Sequence, residues 1–303
     1  MNLEFWQKHY VIEADPKIIA AAMSFREFAS KATSYKLTCF VRDQQSSNIL
    51  ISQGTGGGPL IFVEFAYRLF REGFNVFIMP RHGGATIDEL VERHQDALDF
   101  IAQNYNETTG VYGEGLGGFV LFYVSLAGKQ AKSAVYQNAP AILTEKKFGS
   151  ATTSLLQKMI LGPAKLLARI APRFAIPISL YLNWKKLIDT KPAIHAQEQK
   201  LVESYLNDPD FDHKYPLSAV LSLLETPPPQ PLEALSVPTL FTVAERGFGG
   251  QAFVEYLEDL FARLPVPKKE LVKVDGSVFW MVSHPQEAAQ LVGNWFKRTL
   301  SSA

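Results

Sequence analysis

A chain of 303 residues, 47% of them apolar, holds enough material for a sizeable core in one large domain or one domain plus an insertion. Thirty basic residues cancel thirty acidic ones, and no nucleic-acid-binding motif is present, so nucleic acid is not an expected partner. The single cysteine, Cys39, excludes an internal disulfide and reads as a small core filler in a strand.

The first residues, Met1 to Trp6, lack the basic start and apolar core of a signal peptide. No apolar run reaches the roughly 18 residues of a spanning helix, so a soluble cytoplasmic protein is expected. Phe5 to Glu13 is expected as a strand. Asp15-Pro16 predicts a helix start, with proline at the first helical position, and Ile18 to Ala32 one or two short helices. Tyr35 to Arg42 and Asn48 to Ser52 read as strands, followed directly by the glycine-rich loop Gln53-Gly54-Thr55-Gly56-Gly57-Gly58. Leu60 to Glu72 has helical spacing ended by Gly73. Asn75 to Met79 is a short buried strand, Arg81-His82-Gly83-Gly84 a loop, and Thr86 to Asn104 a helix. Then come a strand at Gly110 to Tyr112, the turn Gly113-Glu114-Gly115-Leu116-Gly117-Gly118, a helix at Phe119 to Ala127 and a strand at Ser133 to Gln137. Strands alternating with helices argue for a parallel sheet covered on both faces.

Residues 146–215 read differently: helical, broken by Pro163, Pro172, Pro177 and Pro192, with no strand–helix alternation. They are expected as a helical insertion. After the stiff connector Pro227-Pro228-Pro229-Gln230-Pro231 the α/β pattern resumes. Thr239 to Val243 and Leu271 to Val274 are strands, and Ala252 to Leu264 and Pro285 to Leu300 helices.

The turn at 113–118 fits two patterns. One is the dinucleotide fingerprint G-x-G-x-x-G, with glycines at 113, 115 and 118. That fingerprint belongs to the first βα unit and needs an acidic residue about 20 positions on. Here roughly a hundred residues of α/β pattern come first, and the next strand ends in Gln137-Asn138. The other is the nucleophile elbow G-x-S-x-G, a sharp strand-to-helix turn. At these residues the chain resembles the α/β-hydrolase superfamily, in its lysophospholipase and monoacylglycerol-lipase-like branch. The resemblance runs from about residue 36 to 298. Ile49 to Gly54 resembles the strand and oxyanion loop, Met79 to Gly83 the next strand's end, and Val111 to Gly118 a G-E-S-L-G-G elbow. The resemblance implies an α/β-hydrolase fold with core at 1–145 and 216–303 and a helical cap at 146–215.

It also implies three catalytic positions, each occupied here by another residue. Gly115 stands where the nucleophilic serine would be. Ala244-Glu245-Arg246-Gly247 resembles G-E-R-D, which puts Gly247 at the acid position. Asp275 to Trp280 resembles G-S-x-H-W, which puts Phe279 at the histidine position. Without serine and histidine, acyl transfer loses its nucleophile and base. Serine esterase activity is therefore expected to be absent or very low. The surviving site is expected to bind a small apolar or acyl-type ligand, or a protein partner, through Gln53, Gly54, Thr55, Gly115, Leu116 and Phe279. The alternative is an active enzyme using displaced residues, His284 and Glu245. Glu114 is expected to turn away from the pocket, and Glu245 and Arg246 to form a salt bridge at its rim. No metal-ligand spacing appears among the six histidines, and no cofactor is implied. Between Lys146 and Ile188 lie eight basic and no acidic residues, interleaved with apolar ones. That segment is expected to cover the pocket, with peripheral contact to an anionic membrane as an alternative.

Overall fold

The computed structural model describes residues 3–11, 13–128, 130–145, 166–171, 174–180, 192–246 and 250–300. The strands are β1 (Ser24–Ser30), β2 (Thr33–Phe40), β3 (Asn48–Ser52), β4 (Asn75–Ile78), β5 (Thr109–Glu114), β6 (Ala131–Gln137), β7 (Ala175–Pro177), β8 (Lys214–Pro216), β9 (Thr239–Ala244) and β10 (Lys269–Val274). Eight of them form one sheet in the order β1-β2-β4-β3-β5-β6-β9-β10. From β4 to β10 neighbouring strands run parallel, while β1 and β2 form an antiparallel edge. The helices are α1 (Leu3–His9), α2 (Pro16–Ala22), α3 (Val63–Arg71), α4 (Ile87–Asn104), α5 (Gly115–Leu126), α6 (Pro192–Leu206), α7 (Leu217–Glu225), α8 (Gly250–Arg263), α9 (Trp280–Ser283) and α10 (Pro285–Leu300).

Side chains of a strand alternate between faces, and a parallel sheet is buried on both. Ile49, Ile51, Tyr112, Val135, Leu240 and Ala244 pack on one face with Leu69, Val292, Trp295 and Phe296 from α3 and α10. Leu50, Val111, Ala134, Tyr136, Phe241 and Val243 pack on the other, against α4, α5 and α8. The helix limits follow from local chemistry. Thr86 and Glu89 exchange hydrogen bonds in a capping box at the start of α4, and Asp15 caps α2 ahead of Pro16.

Two sequence expectations fail at the N-terminal end. Phe5 to Glu13 is not a strand; Leu3–His9 is helical. Trp6 and Tyr10 are four apart and both fully buried, and the rings of Phe5 and His9 lie 4.4 Å apart, which is helical spacing. The helix from Pro16 ends at Ala22, and Ser24–Ser30 is a strand. Its residues pair antiparallel with Thr33 to Cys39 across the two-residue turn Lys31-Ala32, a hairpin pairing that overrides local propensity. Between β6 and β9 the described residues leave the main sheet. Residues 166–170 and α6 are helical, and β7 and β8 form a small antiparallel pair that the sequence reading did not foresee.

Candidate active site at the β5–α5 turn

Strand β5 ends at Glu114 and α5 begins at Gly115 with no residue between them. Gly115 has φ +52°, the left-handed region that side chains disfavour. The other glycines of the turn serve close approach. A Cβ at Gly117 would lie 2.4 Å from the Ser52 carbonyl oxygen and 2.5 Å from that of Gln53. One at Gly118 would lie 2.4 Å from Ala139 Cβ, and one at Gly113 would lie 2.5 Å from Gly118 Cα. At Gly115 the nearest atom would be Gly54 Cα at 3.7 Å, an ordinary contact. Position 115 is thus a place in the turn with room for a side chain, and it carries none. Glu114, Gly115, Leu116 and Thr55 are partly solvent-accessible, while Gly117 to Gly118 and Gln53 to Gly54 are buried.

The glycine-rich loop lies beside the turn, and the protein itself occupies several of its backbone groups. The Gly56 N–H donates to the Tyr215 hydroxyl at 2.9 Å, and the Gly56 carbonyl accepts from the Asp212 N–H at 2.9 Å. The Tyr205 hydroxyl donates to the Thr55 carbonyl at 3.0 Å. The segment carrying Tyr205, Asp212 and Tyr215 is therefore fastened to the loop through backbone atoms.

Four strands contribute a row of polar side chains at their carboxyl ends. The register pairs Glu114 with Gln137 and Gln137 with Thr242. Ser52 pairs with Gly113, so the same register carried one residue on sets Gln53 beside Glu114. All four share the face of Ile51, Tyr112 and Leu240. Gln137 is satisfied: it accepts from Tyr112 Oη at 2.5 Å and donates to the Val278 carbonyl at 3.1 Å. Gln53, with no exposed surface, has neither end of its amide paired among the described residues. Thr242 Oγ1 is likewise buried and unpaired. Burial pushes the Glu114 carboxyl up to about 8, against the opposing pull of the Gly54 amide. Near neutral pH it is therefore mostly protonated. Glu114 does not turn away from the pocket. Its Oε2 would lie 2.2 Å from a Cβ at position 54, so the missing side chain of Gly54 makes room for it.

Beneath the loop, on the opposite face, lie two buried histidines. His94 Nδ1–H donates to the Leu90 carbonyl at 2.6 Å, which leaves Nε2 to accept from Ser52 Oγ–H at 2.7 Å. His82 Nε2–H donates to the Gln53 carbonyl at 2.8 Å. Desolvation pushes His82 down to about 3 and His94 down to about 4, each helped by charged or ionisable neighbours including Arg93. Ser52 and His94 have a serine–base geometry, but both are buried away from solvent. Their role is to hold the loop.

Phe279, at the resemblance's histidine position, is buried and meets the Tyr205 ring edge-on with centroids 5.9 Å apart. Through Tyr205 it connects to Thr55. Gly247 lies outside the described residues. His284 hydrogen-bonds the Ser283 hydroxyl at 3.0 Å and stands immediately before α10. Glu245 is exposed, with its N–H on the Val274 carbonyl. None of these bonds reaches the elbow. The expected Glu245–Arg246 bridge is replaced by an ion pair between Arg246 and Asp275, because Asp275 leaves β10 alongside the end of β9. Glu114 was open to detection from its sequence spacing, two residues after Tyr112 on the same strand face. Tyr205 and Tyr215 carry no such signal.

No protein-family model matches the sequence, and no curated protein matches it. Solved structures do resemble the fold. A monoacylglycerol lipase from Paleococcus ferrophilus superposes with TM-score 0.64 at 16% identity, over 93% of this chain and 99% of that one. An α/β-hydrolase from a Penicillium species gives 0.66 at 15% identity, over 92% and 99%. A malate-bound esterase from Thermogutta terrifontis gives 0.60 at 16% identity, over 91% and 99%. With its mostly parallel eight-stranded sheet, helices on both faces and the sharp β5–α5 turn, the chain has the α/β-hydrolase fold.

Proposed function

We propose that this is a non-hydrolytic member of the α/β-hydrolase fold that holds a small apolar or acyl-type ligand over Gly115. The observation that carries the reading is Gly115 itself: an elbow with left-handed backbone and space for a side chain, but no atom that can attack a carbonyl. Phe279 supports it by adding a buried apolar ring where the resemblance expects the catalytic base. Ile178, Phe211 and Leu116 share its apolar cluster. The hydrolase alternative with His284 and Glu245 lacks support, since neither side chain is bonded toward the turn. The ligand class is further supported by the names of the similar structures, a monoacylglycerol lipase and esterases.

The expected result is hydrolysis of p-nitrophenyl butyrate at the buffer rate, both for the natural chain and for Gly115→Ser. Serine alone restores no turnover because no histidine among the described side chains is bonded toward the turn to take its proton. Turnover by the natural chain well above the blank would sink the reading. Organic extraction of the purified protein, followed by mass spectrometry, is expected to release an apolar ligand.

Exposed apolar residues favour a second role for the segment between β6 and β9. Leu166 is 60%, Ile170 74%, Phe174 50% and Leu180 74% exposed, in a stretch whose only charges are basic. We propose peripheral contact with anionic membranes there. Vesicles rich in phosphatidylglycerol are expected to co-sediment the protein and pure phosphatidylcholine vesicles to leave it in solution. Equal behaviour in both would refute the contact. No helix among the described residues is long and apolar enough to cross a membrane.

A further inference from the structure

We propose that Tyr205 is a gate: its ring fills the room between the glycine-rich loop and Phe279, and the apolar ligand enters when that ring leaves. This rests on the ligand-holding reading above and adds how the same site opens.

The place of the ring is fixed by several contacts. Tyr205 is the last residue but one of α6, and Leu201 and Val202, one turn earlier, are buried with it, so the helix turns this face to the core. The Tyr205 hydroxyl donates to the Thr55 carbonyl at 3.0 Å. It also takes the place of a side chain at Gly57. A Cβ there would lie 2.3 Å from the Tyr205 hydroxyl oxygen, and the two next atoms it would meet belong to the same ring. The ring meets Phe279 edge-on with centroids 5.9 Å apart, and Phe211 with centroids 4.9 Å apart. Helix α1 holds this end of α6, through Tyr10 Oη to Asp208 at 2.9 Å and His9 to the Ser204 hydroxyl at 2.9 Å.

The arrangement is a closed one. Of the six residues expected to hold the ligand, Gln53, Gly54 and Phe279 are buried within the protein, and Thr55, Gly115 and Leu116 keep accessible surface. Tyr205 touches two of the six, Thr55 and Phe279. An apolar ligand over Gly115 therefore reaches the Phe279 ring through the space that Tyr205 fills.

Gln53 is the second, independent observation. Its side chain is fully buried, with neither end of its amide paired among the described residues. A buried polar group without a partner destabilises the arrangement that buries it. Gln53 stands two residues before Thr55 and beside Glu114, which acts electrostatically on Tyr205. Departure of the ring lets water, or the polar end of a ligand, reach that amide. The closed form is thus held by the Thr55 bond and by ring packing, and weakened by Gln53. A small difference between two forms is what allows a ligand to shift them.

The test uses the full chain and N-phenyl-1-naphthylamine, an uncharged apolar fluorophore, in stopped-flow mixing. For the natural chain the observed rate is expected to level off as the probe concentration rises, because departure of the ring limits it. In Tyr205→Ala the rate should rise linearly and exceed that plateau by about tenfold or more. Tyr205→Phe opens no cavity and removes the bond to Thr55. Gly57→Ala places a methyl group where the hydroxyl lies, on a backbone outside the left-handed region. Each of these two should raise the plateau severalfold, and they decide the matter if circular dichroism shows that Tyr205→Ala does not fold. Equal rates in the natural chain and the folded variants overturn the gate and leave ligand binding intact. Binding by the variants with none by the natural chain supports the gate and overturns the ligand-holding reading. Binding by neither overturns both.

Discussion

Gly117→Ala is expected to destabilise the protein by about 3 kcal/mol or more, against only about 1–2 kcal/mol for Gly115→Ala. The two glycines stand two residues apart in one turn, but they are glycine for different reasons. At 117 a methyl group would lie 2.4–2.5 Å from the carbonyl oxygens of Ser52 and Gln53. Those carbonyls belong to the end of β3 and to the loop that His82 holds, so neither can retreat without breaking a strand pairing or a buried hydrogen bond. At 115 the same methyl meets only Gly54 Cα at 3.7 Å, and the cost is confined to a backbone of φ +52°. Urea unfolding of both variants, with the midpoint and slope recorded, measures the difference. Equal costs would mean that the helix can slide off β3, and that the turn is not held as described.

Stability is expected to peak near about pH 6.5 and to fall by about 2 kcal/mol on going down to pH 4.5. The histidines set the acid side. His82 and His94 titrate well below 6.5 in the folded chain, because protonation would place charge in a desolvated site. In the unfolded chain they titrate near their ordinary value. Below pH 6.5 the unfolded state therefore binds more protons, and folding weakens as the pH drops toward the folded values. Glu114 acts with the opposite sign. Its folded value of about 8 lies above the ordinary 4.5, so the folded state binds the extra proton between those limits. Its contribution is complete below pH 4.5 and is lost as the pH rises through 8. Two histidines against one carboxyl leave a net loss on the acid side, and Glu114 produces most of the loss on the alkaline side up to pH 9, where the buried Cys39 thiol, pushed up to about 12, begins to add to it. Urea midpoints from pH 4.5 to 9 provide the check. In Glu114→Gln the alkaline decline should largely vanish while the acid limb remains. A profile flat from pH 7 to 4.5 would show that the histidine pair is hydrated.

Most of the architecture was legible in the residues. The boundaries of β3, α10 and the β5–α5 turn follow from signals contained in a few consecutive positions: β-branched runs, a capping residue, a proline at a helix start, clustered glycines. The N-terminal errors came from the same source. Phe5, Trp6, His9 and Tyr10 suit a short strand as well as a helix until the core shows which side chains it takes. Likewise Ser24 to Ser30 reads as a strand only once Thr33 to Cys39 is beside it.

The site divides along the same line. By itself the sequence determined that residue 115 of the turn carries no side chain, since its identity is a local fact and the turn around it needs glycines for local reasons. It also determined that most of the sheet is parallel and that it is covered on both faces, because strand and helix periods alternate. Only the tertiary structure decided that Glu114 faces Gly54, that Gln53 is buried with its amide unpaired among the described residues, and that Tyr205 and Tyr215 grip the glycine-rich loop from about 150 residues away. Those relations depend on the register between strands and on which segment folds over their carboxyl ends. Register is set by the packing of whole faces, and no short stretch of chain encodes it.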